Sequence, residues 1–301
     1  MGLPDTKIIT SYLQDKIFDE MQVSLSVLRL DEIHPVISGN KLYKLHYFLQ
    51  TATRQSLPGI VTFGGAYSNH LVATAFACRQ AGLKSAGIVR GEEPALLSHT
   101  LLACRDYGMD LKFISRQDYA IKEQLFFQDA VKQEYTNYLI VPEGGYHPLG
   151  AAGAALIMDL IADGTTHICS AVGTATTLSG LLVGLKNNQQ IMAFPVLKNM
   201  HDLEQRIQYL TCRTYQPAQL ALFNDYHFGG YAKKTKQLVY FMNQLYLNCQ
   251  LPTDFIYTGK MMFGIIDCIK KGYFKPGSKI VCIHTGGLQG NFSLPAGTLD
   301  F

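Results

Sequence analysis

Residues 167–180 read HICSAVGTATTLSG and combine an apolar strand, a turn of small residues and the start of a helix. Other runs rich in Val and Ile have the same character, such as GIVTFGG from Gly59 and KIVCIHTGG from Lys279. Helix-like segments lie between these runs, near 68–82, 96–107, 150–163, 175–186, 200–210, 231–248 and 260–271. Continuous apolar strands that alternate with helices predict an α/β fold, with twisted, mainly parallel sheets flanked by helices.

The composition narrows the class of protein. Of the 301 residues, 48% are hydrophobic and only 16% are charged, so we expect a compact fold rather than disorder. The net charge of +3 and the absence of a basic run argue against nucleic acid or an anionic membrane as a partner. The seven cysteines contain no C-x-x-C pair, which predicts mostly buried free thiols, a cytoplasmic location and no metal site.

Four glycine-rich strand ends are the candidate ligand sites, because ligands of parallel α/β sheets bind beyond the carboxyl ends of the strands. They are FGGAYSNH (63–70), PEGGYHPLG (142–150), AVGTATTLSG (171–180) and HTGG (284–287). None of them matches G-x-G-x-x-G or G-x-x-x-x-G-K-[ST]. A dinucleotide or nucleoside triphosphate site is therefore not supported.

The turn after the strand at 167–172 has the composition of a monophosphate site. It contains Gly173, Thr174, Ala175, Thr176 and Thr177. Small residues let the backbone approach a ligand, the N–H groups at a helix start attract anions, and the three hydroxyls add donors. The alternative is an ordinary N-capped helix that happens to be rich in threonine.

Ser68, Asn69 and His70 lie at another junction between a strand and a helix. Ser or Asn at such a position commonly caps the helix. A hydroxyl and an amide in an exposed turn could also hold a flat polar ligand. For His70 a structural role is the simpler interpretation.

Residues 36–48, VISGNKLYKLHYF, predict a helix that follows an N-cap at Ser38. The first turn of a helix favours acidic side chains, because its N–H groups carry partial positive charge, yet this one carries Lys41 and Lys44. That position disfavours the ammonium form and predicts a lowered pKa for Lys41, as for an amine that forms an imine. Lys44 would then face an anion. The alternative is a pair of solvated surface lysines.

Several of these motifs occur in one fixed order along the chain: SGNKLYKL, GGAYSNH, EGGYHPLG, VGTATTLSG, FGGYAKKT, YTGKMMFGI and HTGG. The ordered set resembles the 1-aminocyclopropane-1-carboxylate deaminase and D-cysteine desulfhydrase family. Members of that family are pyridoxal 5'-phosphate enzymes of fold type II, the tryptophan-synthase-β-like fold. The resemblance runs from about residue 30 to residue 290.

The resemblance implies roles for individual residues. Lys41 would carry the cofactor as an imine, and Lys44 together with the 173–177 turn would hold its phosphate. Asn69 would hydrogen-bond the phenolic oxygen of the cofactor, and Thr285 would face the pyridine nitrogen. The implied catalytic residues are Lys41, Ser68, Tyr231 and Tyr257. The implied substrate-binding residues are Ser68, Asn69, His70, Tyr231, Tyr257 and Thr258. The role of Lys260 stays open.

Two positions favour one activity within the family. Ring-opening deaminases typically carry Glu and Leu where this chain has Thr258 and Thr285. A threonine hydroxyl cannot hold the pyridine nitrogen protonated as a carboxylate does, so the electron sink is weaker. Loss of a thiol from the β-carbon needs less of that sink than ring opening. The pattern therefore predicts a lyase that converts D-cysteine to pyruvate, ammonia and sulfide.

Two alternatives remain open. One is 1-aminocyclopropane-1-carboxylate deaminase activity. The other is a pyridoxal-phosphate-binding protein that turns over no amino acid, since Tyr67 precedes SNH where many relatives have Gln.

The resemblance also implies two domains, a smaller one at 46–145 inserted into a larger cofactor-binding one at 1–45 and 146–301, with the cofactor between them. It further implies a small amino-acid substrate and a homodimer.

Overall fold

The computed structural model describes residues 8–301. Residues 1–7, which belong to the predicted larger domain, lie outside the described part. A six-stranded sheet has the order β1-β2-β10-β7-β8-β9 and is parallel except at β1, which pairs antiparallel with β2. Its strands are β1 (Thr10–Leu13), β2 (Ser24–Leu28), β7 (His167–Val172), β8 (Gln190–Pro195), β9 (Leu220–Leu222) and β10 (Lys279–Ile283).

A second sheet of four parallel strands has the order β5-β4-β3-β6. Its strands are β3 (Gly59–Gly64), β4 (Lys84–Arg90), β5 (Met109–Ile114) and β6 (Leu139–Val141). All of them lie between β2 and β7 in the chain, so this sheet is inserted between strands of the first one. The predicted mainly parallel α/β class is confirmed. The limits of the inserted domain, 46–145, stay a prediction.

Helices cover both sheets. They are α1 (Lys16–Glu20), α2 (Lys41–Arg54), α3 (Asn69–Gln80), α4 (His99–Asp106), α5 (Arg116–Ala120), α6 (Leu125–Glu134), α7 (Pro148–Ala155), α8 (Thr176–Val183), α9 (Leu203–Thr211), α10 (Lys236–Cys249) and α11 (Thr258–Lys270). Short 3-10 turns, such as Leu288–Ser293, lie between some of these elements. Strand β3 is buried along its whole length, which explains its continuous apolar sequence.

Helix α2 lies in the core between the two sheets. Leu42, Leu45, Phe48 and Leu49 form its buried face and pack in the same apolar cluster as Ala151 of α7. Full burial of one such large side chain stabilises a fold by about 1.5–3 kcal/mol. This packing holds the lysines of the first turn of α2 in a fixed place.

The start of α2 differs from the prediction. The helix begins at Lys41 with Asn40 at the N-cap, and Ser38 is not the cap. Gly39 decides the geometry, since it has a φ of +75° and a Cβ there would lie 1.9 Å from the carbonyl oxygen of Thr285. The backbone N–H of Asn40 donates to that same oxygen. The chain therefore turns into α2 while pressed against the HTGG segment.

The cysteines agree with the prediction in most respects. All seven are unpaired in residues 8–301, and five of them are buried. Cys249 is half-buried, and Cys212 is exposed, so the expectation of burial does not hold for it. Within the described range, we find no helix with the length and apolar character that a membrane span requires.

Candidate functional site

Two adjoining cavities lie beyond the carboxyl ends of strands from both sheets. The smaller one measures about 70 Å³ and the larger one about 420 Å³. The residues that line both of them are Lys41, Asn69, Gly144, Gly173, Thr174, Tyr257 and Gly287. Since residues of both sheets contribute to the walls, the site needs the complete fold.

The structure brings the whole predicted cofactor set to the smaller cavity. These residues are Lys41, Lys44, Asn69, Gly173, Thr174, Ala175, Thr176, Thr177 and Thr285. Of the predicted substrate set, it brings Ser68, Asn69, His70, Tyr231 and Tyr257 to the larger cavity. Thr258 is the exception, since it lines neither cavity.

Lys41 is the first residue of α2, and its Nζ donates to Asn40 Oδ1 at 2.6 Å. Asn40 in turn donates through Nδ2 to Thr177 Oγ1 at 2.8 Å, which joins α2 to α8. Burial lowers the pKa of Lys41 to about 8, and the carboxylate of Asp254 opposes this shift. The direction agrees with the sequence prediction, but the main cause is burial rather than the helix terminus.

Lys44 is buried one turn further along α2, and its Nζ donates to the carbonyl oxygen of Gly144 at 3.1 Å. Its pKa lies well below the usual value, because burial disfavours the ammonium form and Lys41 repels it. The pair is therefore not a pair of solvated surface lysines. A bound anion would offset both effects and restore the charge of Lys44.

The turn at 173–177 has the backbone of an anion cup. Ala175 is the N-cap of α8 and adopts a left-handed conformation with φ of +67°. The first N–H groups of α8 have no acceptor inside the helix and are free for a ligand. Thr174 Oγ1 and Thr176 Oγ1 lie 2.9 Å apart, which gathers two hydroxyls at the same place.

Ser68 and Asn69 begin α3. Ser68 is the N-cap, and its Oγ accepts from the Leu71 amide at 3.3 Å, so the capping alternative holds for this residue. Asn69 Oδ1 is buried and has no hydrogen-bond partner in residues 8–301. A buried polar atom without a partner costs free energy unless a ligand satisfies it. Asn69 is therefore a candidate ligand contact.

His70 has a structural role. Its Nε2 lies 2.9 Å from Thr62 Oγ1, and that hydroxyl donates to the carbonyl oxygen of Val141 at 2.7 Å, which ties β3 to β6. Burial, together with the charges of Lys41 and Lys44, lowers the pKa of His70 to about 3, so the ring is neutral. His70 also borders the larger cavity, and its contact with substrate stays a prediction.

Tyr231 and Tyr257 face each other at the larger cavity, with their ring centroids 6.1 Å apart in an edge-to-face arrangement. Burial raises the pKa of both phenols, and for Tyr257 the neighbouring Tyr231 adds to this. Both hydroxyls are therefore protonated near neutral pH and can donate hydrogen bonds.

Thr258 does not take the predicted place. It is fully buried at the start of α11, where its Oγ1 donates to Asp254 Oδ2 at 2.6 Å, and it lines neither cavity. Asp254 Oδ1 also accepts the backbone amides of Ile256 and Tyr257, and Oδ2 accepts that of Thr258, the first N–H of α11, so this carboxylate caps the helix. The structure therefore does not place Thr258 beside the predicted substrate site, and hydrogen bonds with Asp254 occupy its hydroxyl.

Sequence reasoning missed three residues at the site. Asn40 stands inside GNK beside the lysine, and only the structure gives its bond to Thr177. Asp254 lies four residues before Thr258, a spacing that could have signalled a helix cap. Arg90 ends β4 and lines the larger cavity, and its place at a strand end was the available signal.

Lys260 acquires a structural role. It is buried in the first turn of α11, and its Nζ donates to the carbonyl oxygens of His227 and Gly230 at 2.8 and 2.7 Å. Burial lowers its pKa to about 8, and the charge of Asp254 opposes this shift. Lys260 thus holds the segment that leads directly to Tyr231.

A family model described as pyridoxal-phosphate dependent enzyme matches residues 15–286. The chain belongs to this family. It is 28% identical to a protein of Pyrococcus abyssi named putative 1-aminocyclopropane-1-carboxylate deaminase, over 92% of this chain and 88% of that protein. It is 24% identical to a D-cysteine desulfhydrase of Klebsiella pneumoniae, over 92% of this chain and 91% of the relative.

A solved structure supports the same family. The crystal structure of an ACC deaminase homologue superposes with a TM-score of 0.79 and 26% identity, covering 96% of this chain and 92% of that one. The fold is that of the fold type II pyridoxal-phosphate enzymes, as the sequence predicts, and the cofactor is pyridoxal 5'-phosphate.

The residues of the smaller cavity fit this cofactor on their chemistry alone. The cup at 173–177 and Lys44 offer donors and positive charge for a monophosphate. Lys41 offers an amine whose pKa of about 8 keeps part of it neutral near physiological pH. The unpaired Asn69 Oδ1 supplies a polar contact that nothing in the described protein satisfies.

Proposed function

We propose that the protein eliminates the β-substituent of a small amino acid, with D-cysteine as substrate and pyruvate, ammonia and sulfide as products. The observation that carries this proposal is the lining of the smaller cavity. Thr285 and other hydroxyls line it, and no Asp or Glu of residues 8–301 does so. Without a carboxylate the pyridine nitrogen is not held protonated, which favours a substrate that has its own good leaving group.

Lys41 is the proposed attachment point and the group that moves the α-proton. When bound, pyridoxal phosphate withdraws electrons from the α-carbon of an amino acid. Lys44 and the 173–177 turn would hold the phosphate, Asn69 the phenolic oxygen, and Thr285 would meet the ring. Proton transfer by a positioned side chain contributes about 10²–10⁴-fold to rate.

The larger cavity is the proposed substrate site. Ser68 lies at its wall beside Asn69 and can accept or donate a proton. Tyr231 and Tyr257 present protonated hydroxyls that can bind the departing sulfur. The amides at the start of α3 add donors for the substrate carboxylate.

Thr258 does not support the choice of reaction, because its hydroxyl is hydrogen-bonded to Asp254. The choice between desulfhydration and ring opening rests on Thr285 and on the lack of an Asp or Glu among the described residues that line the smaller cavity. The names of the relatives include both activities. Ring opening of 1-aminocyclopropane-1-carboxylate is therefore the second candidate.

The deciding experiment is an assay of purified holoprotein with D-cysteine, L-cysteine and 1-aminocyclopropane-1-carboxylate. We expect D-cysteine to give sulfide and pyruvate in equal amounts, faster than the cyclic substrate gives a keto acid. Faster release from the cyclic substrate would reject the proposal in favour of the deaminase. If neither substrate is consumed while the cofactor stays attached, the result would favour a pyridoxal-phosphate-binding protein without amino-acid turnover.

The homodimer and the cytoplasmic location also stay predictions, to be checked by light scattering and by cell fractionation.

A further inference from the structure

Arg90 lies where the larger cavity meets a neighbouring one. It ends β4 and lines both the 420 Å³ cavity and a second cavity of about 510 Å³. Its Nη2 lies 3.6 Å from the point that a Cβ on Gly65 would occupy, so the guanidinium lies over the turn that leads to Ser68 and Asn69. The carboxyl end of a parallel strand is the usual place for a ligand contact.

The neighbouring cavity has an excess of positive charge. It is lined by Arg90, Arg116, Tyr119, Ala120, Lys122 and Glu143. Glu143 is its one carboxylate, and it pairs with Lys122 at 3.3 Å. Across residues 8–301 neither Arg90 nor Arg116 has an ion-pair partner, so two cations face this space without compensation. Such a charge arrangement attracts an anion.

Tyr119 gives a second and independent indication. It is only 3% exposed, and its hydroxyl makes no well-aligned hydrogen bond in the described protein. Lys122 Nζ lies 4.7 Å from the centre of its ring, and the Arg90 guanidinium lies 5.9 Å from it. Burial raises the pKa of Tyr119, and the neighbouring carboxylate of Glu143 adds to this by its charge and as an acceptor, so the hydroxyl stays a donor. A buried donor whose neighbouring acceptor is poorly aligned, set between cations, is suited to an anionic oxygen.

We propose that Arg90, Arg116 and Tyr119 recognise an anionic group on the substrate side chain. This inference rests on the proposed β-elimination and specifies its substrate class, an amino acid whose β-substituent ends in a phosphate, sulfonate or carboxylate. A guanidinium binds such oxyanions through paired N–H groups. The two cavities together are far larger than the side chain of cysteine, which leaves room for the longer substituent.

The reaction balances for a phosphate substituent such as that of O-phosphoserine. The Cα–H and Cβ–O bonds break: Lys41 takes up the α-proton, the electrons of the Cα–H bond form the Cα=Cβ bond, and phosphate leaves with the electrons of the Cβ–O bond. The aminoacrylate that is released takes up water and gives pyruvate and ammonia. No oxidant or reductant is required.

Binding is best tested with ligands that cannot eliminate. Holoprotein is titrated with D-alanine and with D-2-amino-3-phosphonopropionate, and binding is read from the cofactor absorbance. We expect the phosphonate to bind about 10- to 100-fold more tightly than alanine, since hydrogen bonds between charged groups are the strong ones. Arg90→Gln, Arg116→Gln and Tyr119→Phe should each reduce this ratio, and Arg90→Lys should reduce it less than Arg90→Gln.

Arg54→Gln is the matched control, since it removes an exposed arginine at the end of α2 and should leave the ratio unchanged. The inference would be overturned if the wild type bound the phosphonate and D-alanine equally well. It would also be overturned if Arg90→Gln showed the same affinity ratio as the wild type. Added sulfate, a free anion, tests whether the anion site is separate from the site that binds the rest of the amino acid. Sulfate that competes with the phosphonate but not with alanine supports a side-chain site, whereas sulfate that changes alanine binding contradicts it. Because these titrations need no turnover, they can succeed even if D-cysteine releases no sulfide.

Discussion

Asn40 binds Thr177 across the site, with Nδ2 donating to Oγ1 at 2.8 Å. The oxygen of the same amide accepts from Lys41 Nζ at 2.6 Å. One side chain therefore links the first turn of α2 to the anion cup at the start of α8. This link fixes the distance between the amine and the cup, the two features that the cofactor requires at once.

Loss of this link should weaken cofactor binding. Asn40→Ala leaves the Thr177 hydroxyl without its donor and the Lys41 ammonium without its acceptor. The cost of a buried unpaired polar group is about 1–3 kcal/mol, so we expect the Kd for pyridoxal phosphate to rise roughly 10-fold or more. Fluorescence titration of the apoprotein measures this. Asn243→Ala, at a residue that lines neither cavity, is the control. A Kd for Asn40→Ala equal to that of the wild type would show that the link is dispensable.

The contribution of Lys41 to the stability of the apoprotein should become more favourable as the pH rises above about 8. Burial lowers the pKa of Lys41 to about 8 from the ordinary 10.5, so the unfolded chain binds more protons in this range. The stability lost to the buried charge below pH 8 is therefore regained between pH 8 and about 10.5. Urea unfolding of wild type and Lys41→Met measures the difference. We expect the unfolding free energy of wild type minus that of Lys41→Met to increase between pH 8 and about 10.5. If this difference falls with rising pH, or stays constant, the lowered pKa of Lys41 is contradicted.

Thr258 should matter for stability and not for the choice of reaction. Thr258→Val removes the donor to Asp254 and the acceptor of the Asp254 amide, for a loss of about 1–3 kcal/mol in unfolding free energy. Thr258→Ser keeps the hydroxyl and should stay close to wild type. Urea unfolding gives the free energies. If Thr258→Val were as stable as wild type but changed the ratio of sulfide to ring-opened product, the residue would belong to the reaction after all.

Lys260 should act through Tyr231. Its two bonds hold a segment in which Phe228, Gly229 and Gly230 all have left-handed φ angles, a backbone that needs support. We expect Lys260→Met to raise the KM for substrate several-fold and to leave the Kd for the cofactor nearly constant. Lys236→Met removes an exposed lysine and serves as the control. A rise in both constants together would point to general loss of folding instead.

Much of the site could be predicted from short motifs. The lysine pair and the 173–177 turn could be placed because local rules, the charge of a helix start and the small residues of a strand end, apply to them directly. The start of α2 could not be placed, since the contact of Gly39 with Thr285 is made between segments far apart in the chain. The role of Thr258 was missed because a motif does not show which way a side chain faces.

Some elements gave no usable sequence signal. Strand β2 reads SLSVL, and its serines interrupt the apolar run that marked the central strands. Its partner β1 is an edge strand of the sheet and has only one buried residue, Leu13. Both strands depend on the sheet around them, and therefore the sequence pattern alone did not identify them.

The most direct test of the account is the site of cofactor attachment. Purified holoprotein is reduced with borohydride, digested and mapped by mass spectrometry, and the same is done with Lys41→Ala, Lys44→Ala and Lys260→Ala. We predict a single labelled peptide that carries the cofactor on Lys41, no label in Lys41→Ala, and label retained in Lys260→Ala. Label on Lys44 or Lys260 in the wild type, or full labelling of Lys41→Ala, would contradict the central claim.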